Sequence, residues 1–285
     1  MDAAPAIPQK ERIRYAWFPK ATPMTHGIAQ RIRVGTSGWS YGHWRGPFYP
    51  AGLPEGEWLA YYADRLDTVE INNTFYQLPT PSALQGWRAA VGEDFVFSVK
   101  ASRFITHMKK LKEPDAALAK FFERIAVLAP KLGPVLFQLP PHWRLDLSRL
   151  RYFLEALPAE YRYAFEFRDR SWWVGEVYEL LARHEAAFCI HELAGVLSPR
   201  EVTSNLVYVR LHGPDGAYQG SYGTATLAAW ADSFSAWAAQ GRRVYCYFDN
   251  DQRGYAALNA EQMRDMIRPG RDENIRAATL ESPVK

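Results

Sequence analysis

Eight short strand-like runs recur along this chain at an average spacing of about 30 residues, which is the length of one β-α-β unit. In chain order they are residues 32–37, 68–72, 95–100, 135–139, 161–168, 187–191, 206–212 and 244–250. Eight such units between Arg31 and Pro269 match the ~250 residues of a closed barrel better than an open doubly wound sheet. The spacing therefore predicts an α/β chain folded as a single-domain (β/α)8 TIM barrel.

The segments between the runs carry helix signals. Apolar residues recur at three- and four-residue spacing in two of them, at Leu147, Leu150, Leu154 and Leu157 and at Leu227, Trp230, Phe234 and Trp237. Two further segments have the composition of helix starts, Thr80 before Pro81, and Ser198, Pro199 and Glu201 as a capping box. We expect a helix to begin at each.

The ends of the chain lack this pattern. Residues 1–30 carry four prolines and no periodicity, so we predict an extension outside a barrel that spans residues 31–270, with residues 271–285 as a tail. Met24 is a candidate natural start. No apolar run is long enough to span a bilayer, and two cysteines are too few for a disulfide scaffold, which favours a reducing cytoplasm. The net charge of +3 is too small to indicate a dedicated nucleic-acid binder.

Charged side chains converge at one end of the predicted barrel. Strand parity places polar residues on the inward face near the carboxyl ends of the runs, namely Glu70, Lys100, Glu166, Arg168, His191, Arg210, His212 and Asp249. TIM-barrel enzymes hold their chemistry at that end, so we predict a ligand site there. The alternative is a set of ion pairs that close the barrel, for example Glu70 with Lys100 and Glu166 with Arg210. Parity in the eighth run is ambiguous.

The loops after the runs contribute aromatic and polar candidates. Residues that we expect to bind substrate are Trp39, Tyr41, Trp44, Asn72, Tyr76, Arg103, Gln138, Trp172 and Asn250, together with Arg168 and Asp249. Rings around a polar pocket stack on sugars or bases, although long loops also use rings for their own small cores. Lys100 and Arg103 begin a basic stretch that reaches Lys112 and contains no acid, and these two are candidates for binding an anion.

An ordered series of motifs in this chain resembles the domain-of-unknown-function 72, or YecE-like, family. The motifs are VGTSGWSY at residues 34–41, VEIN at 69–72, QLPP at 138–141, EFR at 166–168, YVRLHG at 208–213 and YFDN at 247–250. The resemblance covers nearly the whole predicted barrel and implies a TIM barrel with a loose relation to sugar isomerases. The chain has Asp249 where that family is expected to have asparagine.

Three functions remain open. In a sugar isomerase, epimerase or lyase, Glu70 or Glu166 is the general base, Lys100 and Arg210 stabilise an enediolate-like anion, and His191 or His212 shuttles a proton. A phosphodiester hydrolase uses the rings and the basic loop to hold a nucleic-acid end. A non-catalytic barrel only binds its ligand. A barrel glycosidase is disfavoured, because Gln138 and His212 stand where paired carboxylates are usual.

Cofactor and partner expectations follow from the same residues. A divalent metal held by Glu166, His191, His212 and Asp249 is a variant of the isomerase hypothesis. The chain has no glycine fingerprint, so we expect neither nicotinamide nor flavin. The expected partner is a small-molecule substrate, with nucleic acid less favoured and no membrane, and the oligomeric state is open.

Overall fold

A computed structural model describes residues 27–268 of the chain. Eight parallel strands close into a barrel in the order β1, β2, β3, β4, β5, β6, β8, β9 and back to β1. The bounds of all nine strands are β1 Ile32–Ser37, β2 Thr68–Ile71, β3 Val96–Lys100, β4 Leu132–Leu139, β5 Tyr163–Phe167, β6 Ala187–Leu193, β7 Val196–Leu197, β8 Leu206–Leu211 and β9 Arg243–Phe248. The predicted TIM barrel is confirmed. The short β7 folds back antiparallel onto β6, outside the barrel wall.

Helices surround this barrel. They are α1 Trp58–Ala63, α2 Asn73–Tyr76, α3 Pro81–Ala89, α4 Pro114–Ile125, α5 Leu147–Glu155, α6 Gly175–Arg183, α7 Thr224–Ala239 and α8 Tyr255–Ile267. The predicted helix start at Thr80 is confirmed, because its hydroxyl accepts a hydrogen bond from the Ala83 N–H at 3.1 Å. The two leucine and aromatic stripes lie on α5 and α7, apart from Leu157, which follows the end of α5, and they pack in or against the larger core.

The helix expected after Ser198 is absent, and that prediction is wrong. The Ser198 hydroxyl accepts a hydrogen bond from the His191 N–H at 2.9 Å. Further along, the Thr203 hydroxyl accepts from the Phe188 N–H at 2.8 Å and donates to the Ala186 carbonyl at 2.7 Å. Both hydroxyls therefore bind the backbone of β6, and the segment between β7 and β8 runs beside that strand without forming a helix.

Side-chain parity along the strands separates two apolar layers. Outward residues such as Phe165 and Phe167 pack under the helices in the larger core. The inward layer inside the barrel consists of Leu136, Ala164, Ala187, Cys189, Leu206, Tyr208, Tyr245 and Tyr247. Tyr245 and Tyr247 point inward, which resolves the ambiguous parity of the last strand and places Asp249 in the inward row. The polar residues of the same inward rows lie above this layer.

The ends of the described chain meet beside β1. Residues Ile28–Arg31 form a short 3-10 turn, and the Arg268 guanidinium donates to the Ala29 carbonyl at 2.9 Å. The predicted tail and the rest of the predicted extension, Met24 included, lie outside residues 27–268. No helix within those described residues combines the length and the apolar character that crossing a bilayer requires.

Candidate functional site

Arg210 is the centre of a charged network at the carboxyl ends of the strands. Its guanidinium lies 2.7 Å from Glu70 Oε1, 2.8 Å from Glu166 Oε2 and 3.0 Å from Asp249 Oδ2. The side chains of Arg210, Glu70 and Glu166 have no solvent exposure. Since burying a charge is costly unless it is paired, the three contacts stabilise the arginine and the carboxylates together.

Glu70 is held by hydroxyl donors as well as by Arg210. Ser37 Oγ donates to its Oε1 at 2.5 Å, and the Tyr208 hydroxyl donates to its Oε2 at 2.6 Å. The expected pairing of Glu70 with Lys100 is not formed, and Arg210 contacts both glutamates instead. The expected pairing of Glu166 with Arg210 is present.

Glu166 is surrounded by cations. Arg168 forms a second ion pair with it, and the Gln138 amide donates to its Oε1 at 2.9 Å. Burial alone raises the pKa of Glu166, but Arg168 and Arg210 outweigh burial and hold that pKa well below its usual range. The group is therefore a carboxylate at neutral pH.

His212 directly follows β8 and is held in one tautomer. Its Nε2 lies 3.1 Å from Arg168 Nη2 and 3.2 Å from Arg210 Nη1. Guanidinium nitrogens only donate, so Nε2 accepts and the proton resides on Nδ1, which donates to Asp249 Oδ2 at 3.0 Å. Burial raises the pKa of Asp249, but Arg210 and His212 more than offset it and keep that pKa below its usual range.

Lys100 ends β3 and differs from every cation of this network. Its Nζ lies 4.5 Å from the centre of the Phe75 ring, and it makes no hydrogen bond or ion pair within residues 27–268. Burial and then Arg210 lower the pKa of Lys100 to about 8. The amine is thus partly neutral near physiological pH and is free to contact a ligand.

The loop after β3 brings further basic groups to the same place. Residues Phe104–Met108 form a π-helical turn, a conformation that is frequent at functional sites. Burial and the charges of Lys100, Arg103 and Arg168 lower the pKa of His107 to about 4. Its ring therefore lies within the field of three cations, which concentrates positive potential at the barrel mouth.

The same loop contains strained backbone. Lys110, Leu111 and Glu113 adopt positive φ angles of 47°, 62° and 44°, a region that residues with a Cβ rarely enter. The Leu111 side chain is fully buried, and Lys109 forms an ion pair with Glu113 at 2.6 Å. These contacts hold the turn in place and with it the position of His107. His107 lies within the basic stretch between Lys100 and Lys112 and is not among the residues predicted for the site.

His191 lies beside His212 at the end of β6. Its Nδ1 is 3.3 Å from the Cys189 carbonyl, and the two imidazole rings are 6.4 Å apart. Burial lowers the pKa of His191 to about 4, so the ring is neutral at pH 7.

The aromatic candidates divide between packing and exposure. The Trp44 and Trp172 rings are completely buried, and Trp172 Nε1 donates to the Trp143 carbonyl. Trp39 is 8% exposed and packs edge-on against Trp87 at 5.0 Å. These three rings build the small cores of their loops and present no open face to the mouth. Tyr76, in contrast, is 74% exposed.

Two polar candidates, Tyr41 and Asn72, lie around the mouth. The Tyr41 hydroxyl donates to the Ser37 carbonyl at 2.7 Å, next to the network. Asn72 Oδ1 is buried without a hydrogen-bond partner among the described residues. Asn72 follows β2 and Lys100 ends β3, the strand next to it, so this unsatisfied oxygen and the unpaired amine belong to adjacent strands.

Asn250 has a different task. Its Nδ2 donates to the Gly220 carbonyl at 2.8 Å and to Asn259 Oδ1 at 3.0 Å. These bonds tie the loop after β8 to α8.

Arg103 is exposed at the rim of the mouth.

The network does not fit a divalent metal. The two guanidiniums occupy the space between Glu166, His212 and Asp249, and both His212 nitrogens are engaged. Within residues 27–268, no three histidine, cysteine or acidic side chains are placed to hold a metal ion. A cation brought among these residues would meet Arg168 and Arg210, so we derive no step through a metal.

The family model for a protein of unknown function, DUF72, matches residues 33–282. The chain belongs to the DUF72 family. The YunF protein of Bacillus subtilis is 27% identical over 271 residues, which cover 83% of this chain and 94% of YunF. The YecE protein of Escherichia coli K12 is 32% identical over 154 residues, so this chain spans about half the length of YecE.

Solved structures of DUF72 proteins have the same fold. A DUF72 protein of Thermotoga maritima superposes with a TM-score of 0.76 at 28% identity, covering 83% of this chain and 98% of that one. A DUF72 protein of Enterococcus faecalis gives a TM-score of 0.68 at 22% identity, covering 83% and 95% of the two chains. These comparisons confirm the resemblance and the barrel, and they assign no reaction to the DUF72 family.

Proposed function

We propose that this DUF72 protein is an enzyme of the isomerase, epimerase or lyase type that acts on a small, sugar-like molecule with an anionic group. The observation that carries the proposal is the Lys100 amine. It lies at the mouth of a TIM barrel with no hydrogen-bond or ion-pair partner among residues 27–268, and its pKa is lowered to about 8. An amine whose pKa lies close to neutral pH exchanges its proton readily in either direction and is suited to general acid and base catalysis.

The proposal changes the roles expected from the sequence. Glu70 and Glu166 are fully buried and hold donors on both oxygens, and the pKa of Glu166 is well below its usual range. His212 is engaged through both nitrogens. These groups support the site electrostatically, which leaves Lys100 as the group that moves a proton.

The step needs no co-reactant. The neutral Lys100 amine accepts a proton from a carbon next to the substrate carbonyl, and the electron pair of that C–H bond forms an enediolate. The resulting ammonium stabilises the enediolate, and a proton passes from the hydroxyl of the deprotonated carbon to the oxyanion of the former carbonyl. The ammonium then returns its proton to the former carbonyl carbon while the new carbonyl forms, which completes an isomerisation. Basic side chains nearby, Arg103 and Arg168, are placed to bind the anionic group of the substrate.

The charge balance of the mouth supports this role. Glu70, Glu166 and Asp249 carry three negative charges, whereas the network contains only Arg168 and Arg210 as permanent cations. Lys100 is the third cation, and it feels all three carboxylates without touching one. Loss of its proton therefore changes the field at the mouth but breaks no ion pair.

A hydrolase that acts on nucleic-acid ends is the second candidate. Tyr76, Phe104 and Met108 are 74%, 44% and 66% exposed beside the basic loop, so apolar faces suitable for bases lie next to cations. The test is binding and cleavage of a 5′-phosphorylated single-stranded oligonucleotide across a salt series. In both proposals the working compartment is the cytoplasm.

Titration of Lys100 tests the proposal without a known substrate. We would dimethylate the lysines with 13C-formaldehyde and follow each methyl signal by NMR between pH 6 and 11, assigning Lys100 by its loss in Lys100→Met. One signal with a pKa near 8 is expected. Lys109, an exposed lysine of the same loop that is paired with Glu113, is the matched control and is assigned with Lys109→Met.

Asp249→Asn sharpens the titration. Since the Asp249 charge raises the pKa of Lys100, its removal is expected to lower that pKa further. A Lys100 signal that titrates with the other lysines near 10.4 contradicts the proposal.

Solvent exchange then tests the chemistry. The protein would be incubated in D2O with a panel of aldose and ketose phosphates and their unphosphorylated parents, and deuterium at the carbon next to the carbonyl would be read by NMR. Exchange is expected for a phosphorylated member and is lost in Lys100→Met but kept in Lys109→Met. Binding without exchange would identify a non-catalytic barrel and overturn the enzymatic proposal.

A further inference from the structure

A second concave site lies at the opposite end of the barrel. A cavity of about 480 Å³ opens where the strands begin, between the end of α5 and the starts of β5, β8 and β9. One side is apolar and includes Leu154, Leu157 and Pro158. The other side is basic and contains Arg31, Arg162 and Arg243. Its volume is in the range of small-molecule sites.

Strand parity explains why Arg162 and Arg243 line the same cavity. Arg162 immediately precedes β5 and shares the inward row of Ala164 and Glu166. Arg243 begins β9 and shares the inward row of Tyr245 and Tyr247. The rows that carry paired charges at the carboxyl end of the barrel therefore carry guanidiniums at its amino end.

No ion pair within residues 27–268 neutralises these guanidiniums. Within residues 27–268, the side chains of Arg162 and Arg243 make no hydrogen bond or ion pair, and Arg31 donates only to the Gly241 carbonyl at 3.1 Å. Glu185 is the acidic residue of the lining, and no ion pair joins it to an arginine. Arg162 and Arg243 are exposed at the mouth of the cavity, and partial burial followed by the like charge of Arg243 lowers the pKa of Arg162.

We propose that this cavity binds a phosphorylated small molecule, with Arg162 and Arg243 on the phosphate and the organic part against the apolar side. The planar guanidinium matches phosphate oxygens through two parallel N–H donors, and an anion removes the repulsion between the arginines. The active ends of TIM barrels are their carboxyl ends, so this site binds its ligand without turning it over.

The test uses phenyl phosphate, which carries a phosphate and an apolar ring on one small molecule. Binding is measured by isothermal titration calorimetry in the Lys100→Met background, which removes the amine of the mouth. Phenyl phosphate is expected to bind more tightly than inorganic phosphate, and phenol is expected not to bind. Arg162→Gln combined with Arg243→Gln is expected to weaken binding by about tenfold or more.

Arg242→Gln is the matched control. Arg242 lies beside Arg243 in the chain, but its guanidinium bonds to the Ser204 carbonyl at 3.0 Å and does not line the cavity. This variant is expected to keep the affinity of the parent. Thermal melting checks that the double variant is folded. Since its substitutions remove two cations that repel each other, the melting temperature of the ligand-free protein is expected to stay unchanged or to rise.

Phenyl phosphate is also expected to raise the melting temperature of the parent and not that of the double variant. The proposal is overturned if folded parent protein shows no binding at millimolar phenyl phosphate, or if the double variant binds as the parent does. Neither outcome bears on Lys100, so this site and the proposed function fail or stand separately.

Discussion

The two ends of the barrel treat their charges in opposite ways. At the carboxyl end, Arg210 contacts three carboxylates; Arg210, Glu70 and Glu166 have no solvent exposure, and the Asp249 side chain is 12% exposed. At the amino end, Arg162 and Arg243 face a cavity and have no partner within the described chain. Full burial requires pairing because desolvation is costly, whereas a cation beside a solvent-filled cavity tolerates being unpaired. Lys100 is the exception at the carboxyl end, because it forms no ion pair within residues 27–268 whereas the charged groups around it are paired.

Substitution of Arg210 at the carboxyl end is expected to have the largest effect on stability. Arg210→Met leaves Glu70, Glu166 and Asp249 buried around an apolar side chain, so the free energy of unfolding is expected to fall by about 3–5 kcal/mol. Urea unfolding at pH 7 measures it. Arg242→Met, at a partly exposed site, should change the free energy by no more than about 0.5 kcal/mol. A similar small change in Arg210→Met would mean that the network contributes little to folding.

Acid should destabilise the carboxyl end selectively. The pKa of His191 is lowered to about 4 from its usual 6.5, so between these values the unfolded chain binds a proton that the native protein does not. Stability is therefore present above pH 6.5 and is lost as the pH falls towards 4, by roughly 3 kcal/mol from this residue.

His191→Gln should flatten that part of the stability curve, measured by urea unfolding at half-unit steps from pH 7 to 4. His184→Gln, which alters the cavity lining at the amino end, is the control. If the two variants lose stability in parallel with the native protein, the acid response does not come from His191.

Removal of the unpaired amine should stabilise the protein. Below pH 8, Lys100 is charged in both states and its burial lowers the free energy of unfolding. Lys100→Met is therefore expected to raise the melting temperature at pH 7 by about 2–5 °C. Between pH 8 and 10.5 only the unfolded chain keeps the proton, so stability of the native protein rises with pH and the advantage of methionine should shrink. An advantage that is constant with pH would contradict the lowered pKa.

The smallest effect is expected at the amino end. Arg162→Gln removes one of two repelling cations that water still screens, so the free energy of unfolding should rise by no more than about 0.5 kcal/mol. The gain should disappear at high salt, where the repulsion is already screened. A large loss of stability in this variant would show that Arg162 makes a contact that stabilises the fold, which would contradict its description as an unpaired cation.

The barrel and the convergence of polar residues follow from patterns that one sequence contains. Strand spacing and side-chain parity depend on local chain geometry, which is why Glu70, Glu166 and Arg210 could be placed at one end in advance. The Ser198 capping box is a local pattern too, but its hydroxyl binds the backbone of β6. A tertiary hydrogen bond thus replaced the helix, and no local pattern reveals such a partner.

The exposure of the loop side chains and the choice of ion-pair partners could not be predicted from the sequence either, because both depend on contacts between residues far apart in the chain. Trp44 and Trp172 follow strands exactly as ligand-binding rings do, yet long-range packing buries them completely. Which carboxylate pairs with Arg210 depends on distances between strands that are far apart in the chain. His107 reaches the mouth through a π-helical turn, and its only signal in the sequence is its place within the basic stretch.

The tyrosine layer inside the barrel has a consequence for how the ends communicate. Tyr208 and Tyr247 are fully buried across the axis, and the Tyr247 hydroxyl is bonded to Thr68 at 2.8 Å and to Ser98 at 2.6 Å. The layer closes the interior of the barrel, because neither water nor ions can diffuse along an axis that side chains fill. The two ends of the barrel are therefore separate sites, connected by the strands and by side chains of this layer such as Tyr208, which bonds to Glu70.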